Sequence, residues 1–201
     1  MTELICGLDE AGRGPLAGPV TAGCVILPAD FPAGILGDSK KLSLRKREAA
    51  EKVIMERACW GIGIVDHEEI DRMNILRATM RAMQIAYEMM SARLPAWLAA
   101  QGIVSDSGTE LSGLISAIVD GTSCPQIPCR CRCEPKADSK YAEVMAASII
   151  AKVERDKIMT EFDRLYPQYG YARHKGYPTA AHIKICREIG MSPIQRRTFK
   201  F

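Results

Sequence analysis

The loop at residues 11–19 constrains the fold of this chain more than any other sequence feature. It joins two segments that are predicted to be strands, at residues 4–9 and 18–27, and it is too rich in glycine and proline to be a helix or a strand itself. Parallel neighbours need a crossover of a dozen or more residues, which this loop does not provide. The first two strands are therefore expected to pair antiparallel.

Apolar periodicity adds three strands and three helices to this hairpin. The strands are predicted at residues 60–65, 114–119 and 127–133, and the helices at residues 43–58, from an N-cap at Asn74 onward, and at residues 139–165, the last being the longest. A loop is expected near residues 105–108. Strands that alternate with helices, two of them antiparallel, predict an α/β fold with a five-stranded mixed sheet flanked by helices.

Composition excludes several classes of protein. Of the 201 residues, 47% are hydrophobic and 25% are charged, which is typical of a globular chain and not of a disordered or fibrous one. The first ten residues contain three acids, and no run of about 18 apolar residues follows. We expect a soluble, unexported protein in the cytoplasm, without a membrane partner, and a monomer because no spare apolar helix face is evident.

The eight cysteines form two groups. Cys6, Cys24, Cys59 and Cys186 each stand alone in apolar surroundings, which predicts reduced thiols. The other group is Cys124, Cys129, Cys131 and Cys133, and its last three members alternate with arginine. This alternation favours a strand with one buried face over a zinc site, because zinc cysteines usually occur as two C-x(2–4)-C pairs.

Positive charge is concentrated at the end of the chain. The net charge is only +3, yet residues 171–201 contain seven basic residues and one acid. A basic segment beside an acidic body fits contact with a polyanion, although a solvated basic helix is an equally good explanation of the charge alone. We expect a catalytic domain at residues 1–170 and a basic helical segment at residues 171–201, packed on the same domain.

Four carboxylates stand at the ends of predicted elements. Asp9 and Glu10 close the first strand, Asp120 closes the fourth, and Asp138 begins the long helix. Such positions can converge at one edge of an α/β sheet. Acids that converge need compensating cations, and carboxylates without nearby His or Cys favour Mg²⁺ or Mn²⁺. Taken singly, each acid also fits a turn, a helix cap or a solvated loop.

The segment that follows the first acids makes the site hypothesis specific. A Gly12-Arg13-Gly14 turn lets bare backbone N–H groups approach a phosphate or a sugar. Together with the strings at residues 38–42, 119–121, 136–138, 146–156 and 174–177, it closely resembles the bacterial ribonuclease HII family. The resemblance covers almost the whole chain. It implies a ribonuclease H-like fold with a C-terminal helical part.

The resemblance also implies the reaction and the residues that perform it. It predicts an endoribonuclease that acts on RNA–DNA hybrids and cuts 5′ of ribonucleotides embedded in duplex DNA, leaving 5′-phosphate and 3′-hydroxyl ends. The implied catalytic and metal-binding residues, which would hold two Mg²⁺ or Mn²⁺ ions, are Asp9, Glu10, Asp120 and Asp138. The implied substrate-binding residues are Gly12, Arg13, Gly14 and Tyr177 at the ribose and Lys40 at the nucleic-acid backbone.

Asp156 is a competitor for the fourth acid. A continuous helix would separate it from Asp138 by about 27 Å, so the two cannot share a metal site. The resemblance selects Asp138 and leaves Asp156 as a structural acid or the partner of an arginine. Thr122 and Gln195 depart from the family pattern, where Asn and His are usual. Two alternative functions are a non-catalytic nucleic-acid-binding module with a Cys-rich metal knuckle and a nuclease that cuts plain or branched DNA.

Overall fold

A five-stranded mixed sheet forms the centre of the molecule. The computed structural model describes residues 3–39, 42–103 and 111–200. The strands are β1 Leu4–Ala11, β2 Val20–Ile26, β3 Cys59–Val65, β4 Ile115–Asp120 and β5 Arg130–Glu134, in the spatial order β3-β2-β1-β4-β5. β1 pairs antiparallel with β2 and parallel with β4. The predicted α/β fold and the antiparallel first hairpin are confirmed.

Helices cover both faces of the sheet. They are α1 Leu44–Arg57, α2 His67–Met73, α3 Ile75–Ala100, α4 Ala142–Leu165, α5 Tyr171–His174 and α6 Ala180–Ile189. Ser43 and Asn74 cap α1 and α3 by accepting a backbone N–H three residues on, and the cap at Asn74 is as predicted. The 26-residue α3 is longer than the 24-residue α4. The prediction that the helix after Ser139 is the longest is therefore wrong.

Helix α4 lies unusually close to the sheet. A Cβ atom at Gly7 of β1 would stand 2.2 Å from the backbone of Glu143, and one at Gly23 of β2 would stand 2.5 Å from the carbonyl oxygen of Ala147. Only glycine permits this approach, because any side chain would push the helix away. The contact brings polar residues of α4, among them Ser148, to the acidic end of β1.

The cysteines follow the predicted grouping, with one addition. Cys6, Cys24, Cys59 and Cys186 are buried free thiols, as predicted. Strand β5 alternates half-buried cysteines with exposed arginines, as the alternation indicated, although it begins only at Arg130. A disulfide joins Cys124 to Cys133, whose Cα atoms are 5.7 Å apart. This bond was not predicted, and it removes two of the four ligands that a zinc knuckle would need.

The C-terminal segment returns to the β1–β2 loop. After α6 the chain runs back to residues 16–18, where the Gly18 amide donates to Ile194 and the Arg196 amide donates to Leu16, at 2.9 and 2.8 Å. Ala17 and Gln195 form a β-bridge. The glycine- and proline-rich loop at residues 11–19 is thus paired with residues near position 195. Within the described part of the chain, no helix is long and apolar enough to cross a membrane.

Candidate active site

Three of the four predicted acids meet at one edge of the sheet. Carboxylate oxygens of Asp9, Asp120 and Asp138 lie within 4.8 Å of one another. Leu8 is paired with Val119 in the parallel β1–β4 ladder, so the acids that follow them end up side by side. Asp138 lies in the 3₁₀ turn Ala137–Ser139, ahead of α4, whose N-cap is Tyr141. Asp138 is therefore not the cap of the long helix.

Asp120 also holds the turn that carries Asp138. Its Oδ1 accepts a hydrogen bond from the Ala137 amide at 2.7 Å. One carboxylate oxygen thereby fixes the backbone next to another acid of the cluster. The competing acid, Asp156, lies well inside α4 and forms ion pairs with Lys152 at 2.6 Å and Arg47 at 3.9 Å. This matches the expected structural role for Asp156.

The electrostatics of the cluster favour a bound cation. Asp9 is only 5% exposed. Burial, together with the negative charges of Glu10 and Asp120, raises the pKa of Asp9 to about 8, although hydrogen bonds from Ser148 and the Glu10 amide act in the opposite direction. Crowded carboxylates that resist ionisation are stabilised by a divalent cation, and oxygen ligands suit Mg²⁺ and Mn²⁺. The residues present thus fit the divalent metal that the sequence predicted.

Glu10 points into a neighbouring cavity. Its carboxylate is 3.2 Å from the Arg13 guanidinium. The cavity has a volume of about 170 Å³, and the residues that line it are Glu10, Ala11, Gly12, Arg13, Gly14, Ser39, Ser148, Lys152 and Tyr177. Five residues predicted for the site, Glu10 among them, therefore share one cavity. Lys40 was also predicted there, but it lies outside the described residues.

Three polar residues of this cavity were not singled out from the sequence. Ser148 and Lys152 are one helical turn apart on α4, and the Ser148 hydroxyl is 2.8 Å from that of Ser39. Spacing of four residues could have placed the serine and the lysine on one face of the helix. Nothing local in the sequence showed that this face is the one packed beside Asp9.

The glycine turn is held from inside by two buried arginines. Gly12 has a φ of +100°, and a Cβ there would lie 2.1 Å from Nε of Arg155. Arg155 donates to the carbonyls of Ala17 and Pro19, and Arg196 donates to other carbonyls of the same loop. Arg196 is fully buried. It was counted in the basic segment expected to contact a polyanion, and for this residue that expectation is wrong.

Tyr177 stands at the opposite wall of the cavity, beside Gly14. It is 42% exposed, and a Cβ at Gly14 would lie 3.6 Å from a ring carbon of Tyr177. Two stacked imidazoles position its backbone. His182 donates from Nδ1 to the Tyr177 carbonyl at 3.0 Å, and His174 accepts from the Gly176 amide at 3.2 Å. The ring of Tyr177 is thus left free to face the glycine turn.

Comparison with known proteins agrees with this geometry. The family model for Ribonuclease HII matches residues 6–201. A ribonuclease HII of Treponema denticola is 47% identical over 201 residues, which cover 98% of each chain. Ribonuclease H2 from Pyrococcus horikoshii superimposes with a TM-score of 0.69 at 25% identity, over 98% of this chain and 94% of that one. Bst-RNase HIII in complex with Mn²⁺ shares the fold, with a TM-score of 0.58 at 20% identity, over 94% of this chain and 63% of that one.

The fold and the clustered carboxylates define a nuclease of the ribonuclease H type. Asp9 and Asp120 lie on the neighbouring strands β1 and β4 of the mixed sheet, where their carboxylates meet. The chain belongs to the ribonuclease HII family and is an enzyme that hydrolyses RNA in RNA–DNA hybrids. The alternative of a non-catalytic module with a Cys-rich metal knuckle is not favoured.

Proposed function

We propose that this ribonuclease also nicks duplex DNA on the 5′ side of an embedded ribonucleotide, leaving 5′-phosphate and 3′-hydroxyl ends. The observation that carries the proposal is the adjacency of two features. Three carboxylates lie within 4.8 Å of one another, and the cavity of Glu10 beside them is lined by the glycine turn and Tyr177. Chemistry on a phosphate and recognition of the neighbouring sugar can thus occur at one place.

The carboxylates of Asp9, Glu10, Asp120 and Asp138 would hold two divalent cations, Mg²⁺ or Mn²⁺. The donor set supports this, since hard cations prefer carboxylate oxygens, and the Mn²⁺ in Bst-RNase HIII is consistent with it. When bound, such cations neutralise phosphate charge and make a coordinated water a stronger nucleophile. The protein itself orients the acids: Ser148 donates to Asp9, and Asp120 fixes the turn of Asp138 through the Ala137 amide.

Selectivity for ribose would come from the turn and the tyrosine. The 2′-hydroxyl is the group that separates RNA from DNA. Gly12, Arg13 and Gly14 offer backbone groups to it, and Tyr177 offers a ring for the sugar to pack on and a hydroxyl to hydrogen-bond. Lys40 would contact the nucleic-acid backbone next to this site.

A basic surface would hold the rest of the duplex. In the segment at residues 171–201, the side chains of Arg173, Lys184, Arg187, Arg197 and Lys200 are exposed, and phosphates are their natural ligands. We propose this segment as a substrate-contacting part that follows the catalytic domain at residues 1–170. We also propose that the enzyme works as a monomer on nucleic acid in the cytoplasm.

The decisive experiment compares two duplexes that differ by one hydroxyl. A DNA duplex with a single ribonucleotide and the same duplex made only of DNA are incubated with the enzyme and Mg²⁺ or Mn²⁺, and the products are sized and their ends identified. We expect one nick, 5′ of the ribonucleotide, and none in EDTA. Cutting of the all-DNA duplex at an equal rate would contradict the proposal and favour a plain DNA nuclease.

A further inference from the structure

The buried guanidinium of Arg196 donates all of its hydrogen bonds to backbone carbonyls. A guanidinium carries five N–H groups. Nε donates to the Gly18 carbonyl at 2.9 Å, Nη1 to the carbonyls of Arg13 and Pro15 at 3.1 and 2.8 Å, and Nη2 to those of Gly12 and Pro19 at 2.7 and 3.0 Å. Every N–H group thus ends on a main-chain oxygen of one loop. Lysine, with three donors, cannot replace this pattern.

The positive charge of Arg196 is not neutralised by a direct ion pair with any described residue. Arg196 is fully buried, and among the described residues no carboxylate lies within 4.0 Å of its guanidinium. Burial lowers the pKa of Arg196 to about 9, and the nearby charge of Arg155 acts in the same direction. The Asp71 carboxylate acts in the opposite direction on this pKa but forms no direct ion pair with Arg196, and a buried charge without a paired counterion is costly. The carbonyls must supply the compensation, so their orientation is tightly coupled to this side chain.

The orientation of these carbonyls sets the direction of two amides. In a planar trans peptide the C=O and N–H bonds point in opposite directions, and the described residues include no cis peptide. The Gly12 carbonyl shares its peptide unit with the Arg13 amide, and the Arg13 carbonyl shares its unit with the Gly14 amide. Because both carbonyls point inward to Arg196, both amides point outward. In the described part of the chain neither amide donates to a protein acceptor.

We propose that Arg196 is a positioning residue for ribose recognition. By drawing the carbonyls of Gly12 and Arg13 inward, it presents the amides of Arg13 and Gly14 to the cavity as a pair of preorganised donors for an oxygen of the sugar. Arg196 itself does not touch the substrate. The inference rests on the proposed function, since it requires that the turn at residues 12–14 reads the ribose.

The first test measures discrimination between sugars in the absence of divalent metal. Arg196→Lys and Arg196→Met are compared with the wild type for affinity to a duplex with one ribonucleotide and to the all-DNA duplex. We expect the ratio of the two affinities to fall about three- to tenfold in both variants, the loss of one to two hydrogen bonds. The matched control is Arg93→Lys, which removes an arginine that stacks on Trp60 and donates to its carbonyl; neither residue lines the cavity. Its ratio should equal that of the wild type.

A second measurement needs no variant, so it tests the outward-facing amides even if both substitutions prevent folding. NMR follows the amide signals of Arg13 and Gly14 in the wild-type protein. We expect the ribonucleotide duplex to slow their hydrogen exchange and the all-DNA duplex not to do so. Folded Arg196→Lys with an unchanged affinity ratio, or amides that the ribonucleotide duplex does not protect, would overturn the role of Arg196. A wild type that neither binds nor nicks the ribonucleotide duplex preferentially would instead overturn the proposed function.

Discussion

Among single residues, Asp9 shows most clearly that a group needed for activity can destabilise the fold. The raised pKa means that its ionisation costs folding energy, and this cost grows as pH rises from about 4, its unfolded value, to about 8. In EDTA, Asp9→Asn should therefore stabilise the protein by roughly 1–3 kcal/mol at pH 8 and by little near pH 4. Hydrolysis with Mg²⁺ should fall to background. Urea unfolding at both pH values and a nicking assay measure the two effects.

The matched control for this change is Glu161→Gln, which removes an exposed acid of α4 whose one ion pair among the described residues is with Arg164 on the surface. Surface ion pairs of this kind contribute little. The control should keep both activity and stability. An Asp9→Asn protein that retains full activity, or that is less stable than the wild type at pH 8 in EDTA, would contradict the assignment of Asp9.

The two glycines of the turn should respond differently to alanine. Gly12 has a positive φ and lies against Arg155, so Gly12→Ala should lower the unfolding free energy by about 1–3 kcal/mol. At Gly14 a methyl group would make only an ordinary contact, 3.6 Å from the Tyr177 ring. Gly14→Ala should therefore fold normally and yet nick the ribonucleotide duplex more slowly. Equal losses of unfolding free energy in the two variants would contradict the tight packing at Gly12 and the open surroundings at Gly14.

Tyr177 supplies the other wall of the same cavity. Tyr177→Phe keeps the ring and removes the hydroxyl, so cutting at a lone ribonucleotide should fall by about three- to tenfold, the value of one hydrogen bond. Affinity for the all-DNA duplex should not change and serves as the internal control. Unchanged cutting rates would argue against a hydroxyl contact with the sugar.

At the scale of elements, the C-terminal segment is anchored by a half-buried acid of α2, Asp71. The Asp71 carboxylate accepts hydrogen bonds from the amides of Arg197 and Thr198, at 2.7 and 3.0 Å, and from the Thr198 hydroxyl at 2.6 Å. Burial acts to raise the pKa of Asp71, but the hydrogen bonds from Thr198 and Arg197 outweigh it and the pKa is lowered. Stability from Asp71 is therefore present above its unfolded pKa and is lost as pH falls through the lower folded value.

The corresponding prediction concerns Asp71→Ala. We expect the melting temperature to fall at pH 7 and the difference from the wild type to shrink as pH drops below about 4. Thermal unfolding across this range measures the effect, and Asp30→Ala, which removes an exposed acid on the loop after β2, is the control. A difference that grows on acidification would contradict the anchoring role.

Elements were predictable from the sequence where their signals are local. The cap at Asn74, the alternation in β5 and the short β1–β2 loop each act within a few residues, so the helix, the strand face and the antiparallel pairing were all predicted. Helix α2 was missed because its seven residues are too few to show a period. Arg196 was misassigned for the opposite reason. Its partners lie some 180 residues away, and charge alone does not distinguish a buried arginine from a solvated one.

At the scale of the whole molecule, the salt dependence of affinity should distinguish phosphate contacts, which bind any duplex, from recognition of the ribose. If three of the exposed basic residues at 171–200 contact phosphates, affinity should fall about 40-fold between 50 and 200 mM salt. The loss should be equal for the all-DNA and the ribonucleotide duplex, because phosphate contacts carry no information about the sugar. Titrations of both duplexes at several salt concentrations measure the two slopes. Slopes that differ between the duplexes would contradict the conclusion that the basic segment contacts phosphates without distinguishing the sugar.

The contact between Arg196 and the first loop also sets the order in which a newly made chain can acquire its activity. Ribosomes synthesise Gly12 early and Arg196 more than 180 residues later. A product of stalled translation, or of proteolysis ahead of residue 196, would carry all four carboxylates and yet lack the side chain that shapes the turn. Incomplete copies of this nuclease would thus hold the acids without the preorganised turn, and selectivity for the sugar would arise only when the last residues of the chain have folded back onto the first loop.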